Sequence, residues 1–310
     1  MREALRCHTR PFPREAIGES LMSLSKVVDL LHAAAELNRR TPLRNAQMIC
    51  FPSGIGESEA NELLVCGDLH NHARNFEKFQ KVAALARFPR RHVLLQEIIH
   101  GGPLGPSGED HSFDMLLQAA EWSRQFPGRV HFLLSNHDMA QVQKIAIMKD
   151  GYDLTDRFTR YINQYYGSSA PAVHDAFNQF VYSMPLAAIT VSGVFFSHSL
   201  PGPRDLASFD ATIVRRELTL ADYARNGPVY QLIWGRYQNQ EVLSTLSHAW
   251  WAELFVCGHQ AQNEGHGILG DRMLIIDSSH NHGVFLPIDL SRQYTLHDLA
   301  AAVKPLASVM

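Results

Sequence analysis

Leu63-Leu64-Val65-Cys66-Gly67-Asp68-Leu69-His70 reads as a buried strand that runs out into a turn carrying an acid and an imidazole. An unbroken apolar run this short, closed by glycine, suits a strand covered on both faces, and such strands belong to α/β sheets. The loop beyond the strand is where these folds place the side chains that do chemistry. Asp68 and His70, two residues apart, are therefore candidates to face one cavity.

The same pattern recurs four times. Gln96-Glu97 follows the apolar stretch 92–95, Asn136-His137-Asp138 follows 130–134, Ser197-His198 follows 194–196, and Gly258-His259 follows 254–257. Taken singly, each cluster has an ordinary reading. Asn136 or Asp138 suits a helix N-cap, and His198 or His259 suits a hydrogen-bonded structural histidine. What outweighs those readings is the ensemble, with five clusters at strand ends and none in mid-helix. Together they supply carboxylates, an amide oxygen and imidazoles, the ligand set for a pair of hard or borderline divalent cations.

Around these strands the periodicity predicts helices. Leu21, Leu24, Val27, Val28 and Leu31 recur at helical spacing within 16–40, which Thr41-Pro42 ends. Strands at 47–51 and 63–66, separated by Pro52-Ser53-Gly54-Ile55-Gly56, are expected to pair. A helix at 73–86 followed by strand 92–95 makes a β-α-β unit, and a helix at 113–125 with strand 130–134 continues it. A helix starting at Asp138 and a helical pair at 153–166 and 171–182 come next. Strands at 187–191, 194–196, 254–257, 273–276 and 284–288 follow, with short helices before Trp251 and a last helix near 296–303. The organisation expected is an N-terminal helical extension with the first strand in 1–60, then one α/β catalytic domain in 61–310.

With 310 residues and 45% hydrophobic content, the chain can bury a large core. A net charge of −3 leaves no basic field for a phosphate backbone, so no nucleic-acid partner is expected. No apolar stretch approaches the roughly 20 residues that span a bilayer, so no membrane partner is expected either. Cys7, Cys50, Cys66 and Cys257 are scattered without C-x-x-C spacing and read as buried thiols, which suits a cytoplasmic location.

In their order the clusters resemble the calcineurin-like metallophosphoesterase superfamily, and within it the phosphoprotein-phosphatase branch, over residues 62 to 290. The pattern of that superfamily is G-D-x-H, G-D-x-x-D-R-G, G-N-H-D or G-N-H-E, a lone His after a strand, and a terminal G-H. Gly67-Asp68-Leu69-His70, Asn136-His137-Asp138, His198 and Gly258-His259 match it. His198-Ser199-Leu200-Pro201-Gly202-Pro203 is similar to the branch's H-G-G-L-S-P, and Leu232-Ile233-Trp234 to its L-L-W. Ala261 stands where many members outside that branch carry a further His. The second motif departs, since Gln96-Glu97-Ile98-Ile99-His100-Gly101-Gly102 replaces the bridging Asp by Glu97, the second Asp by His100 and the phosphate-binding Arg by Gly101. Ser135 and Asn71 also replace glycines.

The resemblance implies a four-layer α-β-β-α sandwich with the site at the strand C-terminal ends. It implies two divalent metal ions, manganese or iron first and zinc next. Asp68, His70 and Glu97 would hold one, and Glu97, Asn136, His198 and His259 the other. His137 is expected to protonate the leaving oxygen, with Asp138 orienting it and raising its pKa. Arg236 and Arg74 are the candidates to replace the missing phosphate clamp. The implied activity is hydrolysis of phosphate monoesters on a phosphorylated protein or small molecule. Nucleotides or dinucleoside polyphosphates are the alternative substrates, and a pseudo-phosphatase binding module is the alternative to an enzyme.

Overall fold

The computed structural model describes residues 22–54 and 61–309. In chain order, α1 (Leu24–Arg40) leads to β1 (Arg44–Asn45), β2 (Met48–Phe51) and β3 (Glu62–Asp68). Next come α2 (Ala73–Ala83), β4 (Arg91–Gln96), α3 (Ser112–Gln125), β5 (Val130–Leu133) and α4 (Asn136–Gln143). A hairpin of β6 (Met148–Lys149) and β7 (Tyr152–Asp153) connects to α5 (Leu154–Tyr166) and α6 (Ala170–Ser183). Then follow β8 (Ala187–Thr190), β9 (Val194–Ser197), α7 (Pro228–Trp234), α8 (Gln240–Trp250), β10 (Leu254–Cys257), β11 (His266–Leu269) and β12 (Met273–Ile276). The chain closes with β13 (Val284–Asp289), α9 (Leu296–Ala302) and β14 (Lys304–Pro305).

Two larger sheets result, one in the order β14-β13-β3-β4-β5 and the other β1-β2-β8-β9-β10-β12-β11. Strands β3, β4 and β5 run parallel, as β-α-β connections require, and so do β9, β10 and β12. Side chains alternate along each strand, so each apolar run serves two cores at once. Leu63, Val65 and Leu94 meet Val194, Phe196, Val256, Leu274 and Ile276 between the sheets. The intervening Leu64, Cys66 and Val93 face helices, as do Phe195, Phe255 and Met273 on the other sheet. Phe79 of α2 meets Phe285 and the α3 residue Trp122 edge-on, while Trp250 of α8 stacks on Phe195 at 4.5 Å. The layers are thus helix, sheet, sheet, helix, with α1 packed on α3 and α6.

One expected pairing is corrected. Strand 47–51 does not pair with 63–66. β2 lies beside β8, and β3 lies between β13 and β4. Ile49 and Phe51 meet Leu63 and Val65 through side chains across the inter-sheet core instead. The expected helix start at 16–21, the Ile55-Gly56 part of the turn, and Cys7 lie outside the described residues. Cys66 and Cys257 are buried and Cys50 is half-buried. Among the described residues no helix is long and apolar enough to cross a membrane.

The inter-sheet layer also contains a polar pair. His92 Nδ1 lies 3.0 Å from His131 Nε2, the rings stacked at 5.3 Å and Phe51 edge-on to both. Burial, then the neighbouring His92, holds His131 well below the ordinary imidazole pKa. Its unfolded counterpart takes a proton as pH falls through about 6.5, and the folded ring does not. Stability contributed by this group is therefore present above that pH and lost below it, by about 1.4 kcal/mol per pH unit. Replacing it by His131→Phe should make the fall of the urea midpoint between pH 7 and pH 5 shallower than in wild type. An unchanged slope would remove His131 from the acid response.

Candidate metal centre

The five predicted clusters converge on one edge, where the C-terminal ends of β3, β4, β5, β9 and β10 meet. Backbone bonds tie their loops together. The N–H groups of Leu69 and His70 both donate to Glu97 O, at 3.0 and 2.9 Å, and Gly258 N donates to His198 O at 3.1 Å. A Cβ on Gly258 would stand 2.1 Å from Asp68 Oδ1, so only glycine fits before His259. His70, Glu97, His100 and His259 all have positive φ, with Glu97 at 44°. Such backbone is costly for residues with a Cβ and persists where the surroundings over-determine it, commonly at functional sites.

The outward partner of each histidine decides which ring nitrogen carries the proton. His70 Nδ1 lies 3.0 Å from His100 O and 3.2 Å from Ile99 O, both acceptors only. Its Nε2 therefore faces the Glu97 side, 3.2 Å from Oε2, and that carboxylate raises the His70 pKa against the effect of burial. Gln96 donates Nε2 to Cys66 O at 3.2 Å, so its Oε1 accepts from His198 Nδ1 at 3.0 Å. His198 Nε2 is left with a lone pair 2.7 Å from Asn136 Oδ1 and 3.4 Å from Glu97 Oε1. His259 Nε2 donates to Trp234 O at 3.3 Å, leaving Nδ1 bare and 3.0 Å from Asn136 Oδ1.

Lone pairs of Asn136, His198, His259 and Glu97 thus face one another with no hydrogen between them, an arrangement that a cation satisfies. The oxygens Asp68 Oδ1 and Glu97 Oε1 are buried without a hydrogen-bond partner, a cost that a hard cation would remove. Ligand atoms of Glu97, His198 and His259 lie within 4.8 Å of one another, as do those of His70, Glu97 and His137. Glu97 belongs to both groups.

The two carboxylates respond oppositely. Burial, then the charges of Glu97 and Asp277, push Asp68 well above the usual carboxylate range. For Glu97, burial also acts upward, but His198, His70 and His137 outweigh it and hold the group well below. Asp68 Oδ2 accepts from His259 N at 2.7 Å, while Oδ1 lies 3.6 Å from His198 Nδ1.

The structure corrects the expectation for Asp138. Its Oδ2 accepts from Ser135 Oγ at 2.7 Å and Ser135 N at 3.2 Å, closing a capping box on α4. That bond also explains Ser135 where the resembled motif has glycine. His137 is not turned to Asp138, because its Nδ1 lies 3.1 Å from His100 Nδ1. Nor is its pKa raised. Burial, with His70, His100 and His198 adding, holds it well below the ordinary value despite Glu97. His100 itself is lowered to about 4, chiefly by burial.

Of the two arginine candidates, Arg236 is exposed beside His259 and helps burial and His198 lower that imidazole to about 3. Arg74 is also exposed, and its charge acts on His72. Sequence reasoning missed Gln96 as the partner of His198, Gln141 beside His100, and Lys149, whose charge reaches His70 from the β6–β7 hairpin. The Gln141 signal was readable, since His137 and Gln141 are four apart on one helix face.

Residues 62–284 match the family model of the calcineurin-like phosphoesterases. No curated protein sequence matches the chain. The chain is similar in structure to a protein serine/threonine phosphatase from Saccharomyces cerevisiae with similarity to human phosphatase PP5. That likeness has a TM-score of 0.64 at 14% identity and covers 94% of this chain and 96% of that one. It is also similar to a cold-active protein-tyrosine phosphatase of a psychrophilic Shewanella species, with a TM-score of 0.56 at 16% identity, covering 87% and 84%. At these identities the likeness shows the fold alone.

The glycine in place of the clamp has a steric cause. A Cβ on Gly101 would lie 2.5 Å from His70 O, and Asn71 Nδ2 donates to Gly101 O at 2.9 Å. Gly101→Ala should therefore cost about 1–3 kcal/mol of stability by urea unfolding and weaken metal binding, since the backbone of His70 has to move. A variant with wild-type stability and metal affinity would show that this approach is slack.

Proposed function

We propose that this chain, a member of the calcineurin-like phosphoesterase family and a hydrolase of phosphoric esters, cleaves phosphate monoesters at a dinuclear metal centre, with phosphoproteins as its substrates. The observation that carries the dinuclear reading is the placement of Glu97 in two ligand groups at once. In this reading Asp68, His70 and Glu97 hold one cation, with Asp68 taking the place of the His137 that stands in the observed group and is kept here for the leaving oxygen, and Glu97, Asn136, His198 and His259 hold the other. Manganese or iron suits the mixed oxygen and nitrogen donors best, and zinc is next. Such cations supply an activated water nucleophile and neutralise phosphoryl charge.

The remaining roles fall to the chain's own side chains. Gln96 and Trp234 O hold the protons of His198 and His259 on their outward nitrogens, so those two ligands stand ready without losing a proton first. His137 Nε2, 4.0 Å from Glu97 Oε1, is the group we assign to the leaving oxygen. Arg236, exposed at the rim beside His259, is the first choice for a phosphoryl oxygen, and Arg74 is the second. The free buried thiols Cys66 and Cys257 suit a reducing cytoplasm.

Metal analysis should give close to two divalent ions per chain. Glu97→Gln should lose metal and turnover of p-nitrophenyl phosphate together, and two tightly held ions in that variant would sink the bridging role. Arg236→Ala should lower kcat/KM by a factor equivalent to about 1–3 kcal/mol with metals retained, the cost of removing one charge-assisted hydrogen bond to phosphate from a partly dry site. Arg74→Ala tests the second choice in the same assay. A panel of phosphopeptides against nucleotides and dinucleoside polyphosphates decides the substrate class, and preference for the nucleotides would overturn the phosphoprotein assignment.

A further inference from the structure

His198 and His259 stand on separate loops, after β9 and after β10. The carbonyl that accepts from His259 Nε2 belongs to a third stretch, Trp234-Gly235-Arg236-Tyr237-Gln238, which leaves α7. Side chains just beyond each histidine join the three. Ser199 Oγ donates to Gly235 O at 2.6 Å. Gln238 donates Nε2 to Leu200 O at 2.6 Å, and its Oε1 accepts from Gln260 Nε2 at 3.0 Å. Gln260 Oε1 in turn accepts from Tyr237 N at 3.1 Å.

The direction of these bonds is fixed at both ends. Leu200 O can only accept, so Gln238 turns its Nε2 that way and keeps its amide oxygen for Gln260. Tyr237 N can only donate, so Gln260 offers its oxygen there and its Nε2 to Gln238. Either amide turned round would set donor against donor or acceptor against acceptor. Ser199, Gln238 and Gln260 are all buried, so water does not stand in for a lost partner. The backbone between them has little slack. A Cβ on Gly235 would stand 2.0 Å from Leu200 O. Tyr237 holds a φ of 56° that is costly for a bulky residue, and with the residue 79% exposed the constraint comes through its backbone rather than its ring.

We propose that Gln238 and Gln260 are positioning residues for the second cation, locking the His198 and His259 loops to the stretch that carries Trp234 O. The proposal rests on the two-cation reading, in which neither amide is itself a ligand. They act through the backbone, because Gln260 follows His259 directly and Gln238 bonds to Leu200, two residues after His198. Without the amide pair Trp234 O is free to move from His259 Nε2, and the approach of Nδ1 towards Asn136 Oδ1 is no longer set. Apart from His259 N on Asp68 Oδ2, the ligands of the other cation are held by bonds between the loops after β3 and β4. The loss therefore falls on one seat more than on the other.

The test titrates manganese into metal-free wild type, Gln238→Met, Gln260→Met and the double variant, with the free ion read from its EPR signal. Methionine keeps the length of the side chain and removes both hydrogen-bonding ends. In each single variant one ion should stay within about threefold of its wild-type affinity while the other weakens by about 10- to 100-fold, as when a partner of a metal ligand is lost. At saturating manganese kcat on p-nitrophenyl phosphate should return to near the wild-type rate, since occupancy alone was lost. The double variant should bind no more weakly than the worse single variant, because each amide needs the other. Should Gln238→Met fail to fold by circular dichroism, Gln260→Met at the other end of the pair decides alone. Equal weakening of both ions, two ions held as in wild type, or additive losses in the double variant would overturn the proposal. Uptake of a single ion by wild type would instead overturn the two-cation reading on which it rests.

Discussion

A carboxylate taken out of water must be compensated where it lies, and Glu97 is 2% exposed at the seam of the two sheets. Much of the site follows from that constraint. Three imidazoles stand around it, and each strand that contributes one is itself buried on both faces. The backbone accepts positive φ at Glu97 and at His70 so that the groups face inward rather than along their strands. Outward hydrogen bonds to a carbonyl and to Gln96 then fix which nitrogen of His198 and His259 is free.

Much of this was legible in the sequence because burial and chemistry share the same strands. β3, β4, β5, β9 and β10 each read as an apolar run closed by a polar cluster, and an α/β fold has few ways to arrange such runs. Sheet membership was not legible. β2 and β3 follow one another and share a core, yet they hydrogen-bond to different partners, because apolar alternation specifies a face and not a neighbour. The two-residue strands β1, β6, β7 and β14 are too short to show periodicity, and β11 has no buried apolar run to read.

The role expected of Asp138 fails for a related reason. Adjacency to His137 suggests an interaction, but a residue at the third position of a helix turns back to its cap. His100, by contrast, reads in the sequence as a missing aspartate, and its partner lies 41 positions away on α4. Long-range hydrogen bonds of that kind leave no local pattern. The Asn71 and Gly101 departures are likewise one event in space, an amide bonded to the carbonyl of a residue with no room for a side chain.

The proposed ligand set also has a mechanical consequence. Asp68, His70, Glu97 and Asn136 arise from the five-stranded sheet and its loops, while His198 and His259 arise from the seven-stranded sheet. The apolar layer between the sheets attracts without direction, so it resists separation more than it resists sliding. Cations seated among these six side chains would act as a clasp at one end of the sandwich, pinning one sheet over the other. Occupancy would then stabilise the fold by about 2.7 kcal/mol at a free metal concentration one hundred times Kd. That gain would be concentrated at the strand ends where substrate enters, leaving α1 and the far helices to open on their own terms.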